Sequence, residues 1–392
     1  MKINWNADKR NSIGSSTGRL SVEGTRAVEV RPSATSKQQI AALLDLLDLH
    51  LSNAQVAQPV HPREVTLRVP VPSSEARGAI GTLVDALVAP VQVNVLEQAV
   101  NGDWSLAATG WDASNVEEYP GWPALLQRPR PVPDLVSRVV RATSLSSLRA
   151  YPMLSTSAGW SLRLEGLEIG RTDGKRVRLK VGKDGKLGDR SLQRRTWIES
   201  TGHSEPFQTG DVEVAAKAIA SFAKSWQALG QTRADHDEHA LESRILRGAT
   251  PIDVGGKPLS LIQQDDGVVN WGSQFPTKWG PGGKARYLDA LLRDGSTPWA
   301  VEMKVQGGAG VGQYYRHAVA QAVLYREFIR RAFVLHPWFE MRGLDATRCQ
   351  GAVVVPRLTN PRHAHWRARV TDLCAAFEVT FVEVDPSHAL RH

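Results

Sequence analysis

The sequence predicts an α/β protein, and three patterns predict it. Between residues 27 and 95, short β-branched runs alternate with helical spacings. From Trp160 onward apolar and basic residues alternate with a period of two. From Asp237 to Val384 the order reads helix, three strands, helix, strand, helix, strand. At 392 residues the chain is long enough for two or three domains. The expected divisions are a flexible start over 1–25, a small α/β domain over 26–115, a Pro-rich linker over 116–133, a helix with basic β-hairpins over 134–230, and a second α/β domain over 231–392.

In chain order, residues 1–25 are rich in Asn, Ser, Gly and basic side chains, which suits a loosely packed start. Ala27-Val28-Glu29-Val30 predicts a strand. Ser36-Lys37-Gln38-Gln39 reads as a capping box that opens a helix through Leu51. Glu64 to Val69 is a strand, Ser73 to Val88 a helix and Val91 to Val95 a strand. This domain holds no Gly-rich phosphate loop and no catalytic cluster, and His50 and His61 are isolated. Tyr119-Pro120-Gly121-Trp122-Pro123, with Pro129, Pro131 and Pro133, predicts an extended linker.

Asp134 to Leu148 has helical spacing. Trp160 to Glu165 alternates, Asp173-Gly174 and Asp184-Gly185 are hairpin turns, and Val177, Leu179 and Val181 alternate with basic residues. Asp211 to Leu229 predicts a helix buried through Val214, Ala218, Phe222 and Trp226. Between Arg171 and Arg195 there are ten Lys or Arg against three Asp. With a formal net charge of +8, this asymmetry favours a polyanionic partner. Arg176, Arg178, Lys180, Arg194 and Arg195 are the candidate nucleic-acid contacts, and would hold phosphates without reading sequence. The competing reading is a hairpin with its charges simply turned to solvent.

Only two cysteines occur, Cys349 and Cys374. Neither lies in a CxxC, so a disulfide scaffold or structural zinc is not expected, and a reducing cytoplasm is the natural compartment. No signal peptide or apolar stretch of membrane-spanning length is visible.

The candidate site lies in Arg286-Tyr287-Leu288-Asp289-Ala290-Leu291-Leu292-Arg293 and Thr297-Pro298-Trp299-Ala300-Val301-Glu302-Met303-Lys304-Val305. With a loop near Gly295 and Ser296 these become an antiparallel hairpin that sets Asp289 opposite Glu302. Asp289, Glu302 and Lys304 then share one face. Leu288, Ala290, Leu292, Val301, Met303 and Val305 share the other. Two adjacent carboxylates repel, and an oxygen-preferring cation such as Mg2+ offsets that; the lysine can face a metal-bound water or a phosphate oxygen. A plain salt bridge from Lys304 to Asp289 is the simpler reading.

Asp289, twelve intervening residues, then Glu302-Met303-Lys304 resembles the signature of the PD-(D/E)XK nucleases. On the following helix, expected from Val311 to about Ala332, Gln313, His317, Gln321 and Tyr325 form one polar stripe. Gln321-Ala322-Val323-Leu324-Tyr325 resembles the QxxxY motif of the RecB-like members. On the preceding helix, Asp237 to Arg247, Glu242 matches the glutamate such members bring near the metal; Glu238, one turn earlier, is its rival. Leu259 to Gln263, Gly351 to Pro356 and Val379 to Val384 supply further strands, and His363 to Ala376 a helix. The resemblance spans roughly residues 233 to 385. It implies a restriction-endonuclease-like αβββαβ core, with the N-terminal α/β domain and the β-rich basic middle region outside it. RecB-like members place a glycine-introduced histidine before the glutamate. His236 and His239 lie near Glu242 without that glycine, and a histidine ligand would favour Mn2+ over Mg2+.

The resemblance implies a metal-dependent deoxyribonuclease. Asp289 and Glu302 would hold the cation, with Glu242 assisting. Lys304 would orient or activate water, and Gln321 with Tyr325 would position Lys304 or the scissile phosphate. An N-terminal half without a recognisable motif, followed by a domain bearing His317 to Arg326, also resembles Shedu-type bacterial defence nucleases, which implies action on foreign DNA and self-assembly. The alternative is a non-catalytic nucleic-acid-binding or scaffold protein that keeps the fold. Arg316, Arg326, Arg330 and Arg331 read as a solvated helix face, with phosphate contact as the rival.

Overall fold

The computed structural model describes residues 18–20, 27–54, 63–107, 113, 132–153, 159–165, 167–179, 207–233, 238–262, 272–280, 286–305, 311–357, 361 and 364–385. They form a mixed α/β protein with three large sheets. The N-terminal sheet runs β1 (Gly18–Leu20), β2 (Ala27–Val30), β3 (Arg63–Val69), β4 (Val91–Gln98), β5 (Trp104–Leu106). β2, β3 and β4 are parallel, while β1 and β5 are antiparallel edges. Parallel neighbours need crossovers, and α1 (Ser36–Ala54) and α2 (Ser74–Asp85) supply them.

Two expectations shift here. The start of the chain contributes β1, whose backbone groups are satisfied by pairing with β2. The capping box sits one residue earlier than read: Thr35 Oγ1 accepts from Gln38 N at 3.3 Å and Gln38 Oε1 accepts from Thr35 N at 2.9 Å. Gln39 is instead turned inward, donating to the carbonyls of Ala34 and Val71.

The middle region comprises α3 (Asp134–Thr143), β6 (Leu148–Pro152), β7 (Trp160–Leu164), β8 (Leu167–Thr172), β9 (Val177–Leu179), β10 (Phe207–Thr209) and α4 (Val212–Arg233). Its five strands are antiparallel in sequence order. The helix expected to reach Leu148 stops at Thr143, because Ser144 takes a left-handed conformation with φ 56° and Leu148 opens β6. The Asp173-Gly174 turn forms as read, with Gly174 at φ 93° and Asp173 Oδ1 accepting from the backbone of Lys175 and Arg176. On α4 the inward stripe is Ala215, Ile219, Phe222, Ala223 and Trp226, so Val214, expected inside, is 46% exposed. The linker through residue 131 and the turn at 184–185 lie outside the described residues.

The C-terminal part comprises α5 (Glu238–Leu246), the small hairpin β11 (Asp253–Val254) and β12 (Lys257–Pro258), then β13 (Ser260–Leu261), β14 (Ser273–Thr277), β15 (Arg286–Asp294), β16 (Thr297–Met303), α6 (Val311–Arg331), α7 (His336–Glu340), β17 (Gln350–Pro356), α8 (Ala364–Ala376) and β18 (Val379–Val384). Its sheet runs β13-β15-β16-β17-β18, with β14 also paired to β15. β15 and β16 are antiparallel; β16, β17 and β18 are parallel, linked by crossovers through α6 and α8. Leu241, Ile245 and Leu246 of α5 pack with Ala290, Leu292, Val301, Met303 and Val305. Leu288 departs from the expected face and joins the larger core with Leu291, Ala300 and the buried side of α6.

That larger core runs continuously from Val28 to Val379, through all three parts. Polar ties reinforce it. Arg316 of α6 pairs with Asp45 and Asp48 of α1 at 2.9 and 2.8 Å, and Arg369 of α8 pairs with Asp48 at 2.6 Å. Both guanidiniums stack on Trp366. Tyr151 Oη and Ser273 Oγ, 2.7 Å apart, join the middle sheet to β14. The arginines of α6 are therefore not a solvated face: Arg326 donates to the carbonyls of Phe377 and Glu378, and Arg330 donates to Cys349 O. Arg316 and Arg326 are buried, while the half-buried Arg330 and Arg331 are held by ion pairs, Arg331 to Glu327 and to Asp85 of α2, so each is a tie rather than a free cation. Cys349 and Cys374 are both buried and free. Among the described residues, no helix is long and apolar enough to cross a membrane.

Candidate active site

β15 and β16 pair from Asp294↔Thr297 to Ala290↔Val301 around Gly295-Ser296, with Gly295 at φ 56°. This is the expected register. The ladder ends one pair before Asp289 and Glu302, and the Asp289 carboxylate takes the next β16 amide: Met303 N donates to Asp289 Oδ2 at 2.8 Å. β16 is by then paired with β17, Glu302 against Val353, and Lys304 N donates to Val354 O at 3.0 Å. The strands part where the two carboxylates lie.

Lys304 fills that notch. Its ammonium is 2.6 Å from Glu302 Oε1, 3.0 Å from Glu238 Oε1 and 4.0 Å from Asp289 Oδ2, and it donates to Met303 O at 2.8 Å. Asp289, Glu302 and Lys304 are thus brought together as expected, but in a closed site: Glu302 is 1% and Lys304 5% exposed. The closest ion pairs of Lys304 are to Glu302 and Glu238, not Asp289. Glu302 Oε2 is buried without a hydrogen-bond partner among the described residues. A buried carboxylate oxygen without a partner is costly, and is where a missing ligand would act.

Both candidate glutamates of α5 face this cluster. Glu238, the rival, contacts Lys304 directly. Glu242 is 2% exposed, accepts from Gln274 Nε2 at 3.2 Å and adds to the negative field on Asp289 and Glu302. Burial pushes Glu302 up to about 7, with Lys304 opposing and Glu238 and Glu242 adding to the rise. Burial and then the Glu302 charge raise Asp289 well above the usual carboxylate range. Burial alone would lower Lys304; Glu302, Glu238 and Asp289 more than reverse that, and it is held well above the usual lysine range.

Of the helix stripe, His317 and Tyr325 are buried and Gln321 is half-buried; the side chain of Gln313 lies outside the described residues. Tyr325 is buried, donates to Tyr287 O at 3.0 Å and receives Gln321 Nε2 at 3.3 Å. Burial, then the charges of Glu302 and Asp289, raise its hydroxyl well above the ordinary range. Its hydrogen bond is therefore with the strand that carries Asp289, two residues upstream, rather than with Lys304. His317 is 9% exposed, and burial, followed by the charges of Lys37, Lys304 and Arg286, lowers it well below the ordinary histidine range.

Of the candidate nucleic-acid contacts, Arg176 and Arg178 are exposed, while Val177 and Leu179 between and beside them are buried. Arg178 pairs across the strands with Arg171, also exposed. Lys180, Arg194 and Arg195 lie outside the described residues, as does His236.

No set of three or more His, Cys, Asp or Glu side chains among the described residues is grouped closely enough to chelate a metal unaided. The donor set is nevertheless of the right chemistry for a hard cation: carboxylate oxygens only, one without a partner, with substrate or water left to complete the shell. Lys37 also belongs to this neighbourhood: partial desolvation first, then the charges of Lys304 and Arg286, lower it below the ordinary lysine range, and Glu238 and Glu302 oppose that. Nothing in its local sequence marks it, because α1 is far from the site along the chain. In comparisons with known proteins, no family model, no curated protein and no solved structure matches this chain.

Proposed function

We propose that this chain is a metal-dependent deoxyribonuclease of the PD-(D/E)XK kind, hydrolysing phosphodiester bonds. The observation that carries the reading is the convergence of Asp289, Glu302 and Glu238 on Lys304 where β15 and β16 part, with Glu302 Oε2 left without a partner among the described residues. The order α5, strands, α6, β17, α8, β18 supports an αβββαβ core, with β14 added to its antiparallel side.

Asp289 and Glu302 would hold Mg2+ or Mn2+, with Glu242 assisting directly or through water. Such a cation, when bound, polarises a phosphate and lowers the pKa of an attacking water. Lys304 opposes the rise that burial imposes on Glu302 and Asp289 and would offer its ammonium to a phosphate oxygen or to water. Tyr325 and Gln321 fix the backbone of β15 and so the placement of Asp289. Arg176 and Arg178 give the middle sheet a basic surface suited to DNA phosphates. From the Shedu-like arrangement we infer a role against foreign DNA, with self-assembly that light scattering on the purified protein would measure.

One observation favours the non-catalytic alternative: Lys304 is saturated by Glu302, Glu238 and Met303 O inside a closed notch. The deciding experiment is incubation with supercoiled plasmid in Mg2+, in Mn2+ and in chelator. Metal-dependent nicking or linearisation that disappears in Glu302→Gln supports the nuclease; DNA binding without turnover under every condition supports the alternative.

A further inference from the structure

We propose that Lys37 of α1, with Arg286 and His317, forms a site for a phosphate of the DNA backbone beside Asp289, Glu302 and Lys304, so that the N-terminal unit completes the substrate cleft. The inference rests on the nuclease reading and deepens it.

The position of α1 is fixed by the Asp45 and Asp48 pairs with Arg316. Lys37, Ala41 and Asp45 recur at four-residue steps, so Lys37 lies two turns toward the N-terminus on the stripe that faces α6. His317 directly follows Arg316 on that helix. A second fastening brings Arg286 to the same place: it pairs with Glu75 in the first turn of α2 and stacks on Trp279. Ser36 Oγ and Ser73 Oγ, 2.7 Å apart, join the starts of α1 and α2. The fit there leaves no slack, since a Cβ on Gly280 would lie 2.9 Å from Ser74 O. Arg286 is three residues upstream of Asp289 on β15, so this junction adjoins the carboxylates.

These fastenings carry Lys37, Arg286 and His317 toward the same edge of the notch, and the charges of Lys37 and Arg286 both act on His317. Lys37 is exposed, and its charge acts on His317. The buried Nδ1 of His317 has no partner among the described residues. Glu75 offsets one of the charges. A neutral imidazole donates a hydrogen bond without adding charge, and an ammonium and a guanidinium supply charge-assisted ones. The ligand such groups would hold is an anion, and beside carboxylates expected to bind a cation the fitting anion is a phosphodiester. Both helix starts are capped by side chains, so the selectivity lies with Lys37, Arg286 and His317 rather than with free backbone amides.

Lys37 is the residue to change, because it is exposed and its replacement leaves the core intact. The full chain, Lys37→Ala and Lys37→Arg would be compared in two assays. In the first, anisotropy of a fluorescein-labelled DNA duplex is followed across a salt series in chelator. Lys37→Ala is expected to bind about tenfold more weakly at low salt, with a log-log salt slope smaller by about 0.9; Lys37→Arg should restore both. In the second, plasmid cleavage should show KM raised by a similar factor, with kcat within about twofold. Unchanged binding and slope for Lys37→Ala would overturn the phosphate site even if the wild type cleaves. If the wild type fails to cleave with any divalent ion while Lys37→Ala still shows the smaller slope, the nuclease reading falls and the phosphate site stands.

Discussion

The ammonium of Lys304 lies 2.6 Å from Glu302 Oε1, and both side chains are buried where the β15–β16 ladder ends. Lys304 is the counter-charge that lets acidic groups from two strands and a helix remain together. Removing it with Lys304→Ala leaves Glu302, Glu238 and Asp289 without that counter-charge. A loss of about 3–5 kcal/mol of stability is expected, the range for breaking one side of a buried pair. Saturating Mg2+ should recover part of it. Thermal unfolding with and without Mg2+ reads this; a variant as stable as wild type in chelator would show that the pair does not organise the site.

Tyr325 is tied to the backbone of β15, and the role proposed for it is placement. Tyr325→Phe removes the donor to Tyr287 O and is expected to cost about 1 kcal/mol of stability. Cleavage should fall by about one to two orders of magnitude, as for other groups that orient a metal ligand. Metal affinity measured by calorimetry should change far less than in Glu302→Gln. Equal loss of metal binding in both variants would contradict this division of roles.

Arg176 and Arg178 are exposed beside the buried Val177 and Leu179. Replacing both by Ala should weaken binding to all DNA sequences alike and reduce the log-log salt slope by about 0.9 for each phosphate no longer held. An unchanged slope would return them to an ordinary solvated face.

Asp45 gives the N-terminal junction a pH dependence. Burial raises it from 3.8 to about 6, with Arg316 opposing. A carboxyl raised on folding contributes stability that is complete below pH 3.8 and is lost as pH rises through about 6. The difference amounts to about 3 kcal/mol. Between pH 4 and pH 7, wild type should therefore lose about that much relative to Asp45→Asn. Urea unfolding of both proteins across this range tests it, and parallel curves would refute it.

Much of this architecture is legible in the chain. The hairpin register follows from Asp294-Gly295-Ser296 between two alternating runs, because a two-residue turn leaves one pairing that keeps Ala290, Leu292, Val301 and Met303 on a single buried face. The grouping of Asp289, Glu302 and Lys304 follows from the same alternation, and the span of α6 from its periodicity. Short strands such as β5 and β11 carry too few residues to show a period. The tertiary structure alone decided what surrounds those residues. Helical spacing marks Arg316 and Arg326 as polar but cannot say that Asp45, 271 positions away in sequence, or the carbonyl of Phe377 would bury them. Nor could local pattern choose between Glu238 and Glu242, one turn apart, since the angle at which α5 crosses the strand ends sets which reaches Lys304. Local sequence fixes dihedral preferences and faces; contacts between distant segments, such as the pairs of Arg316 with Asp45 and Asp48, arise only when those faces close on one another.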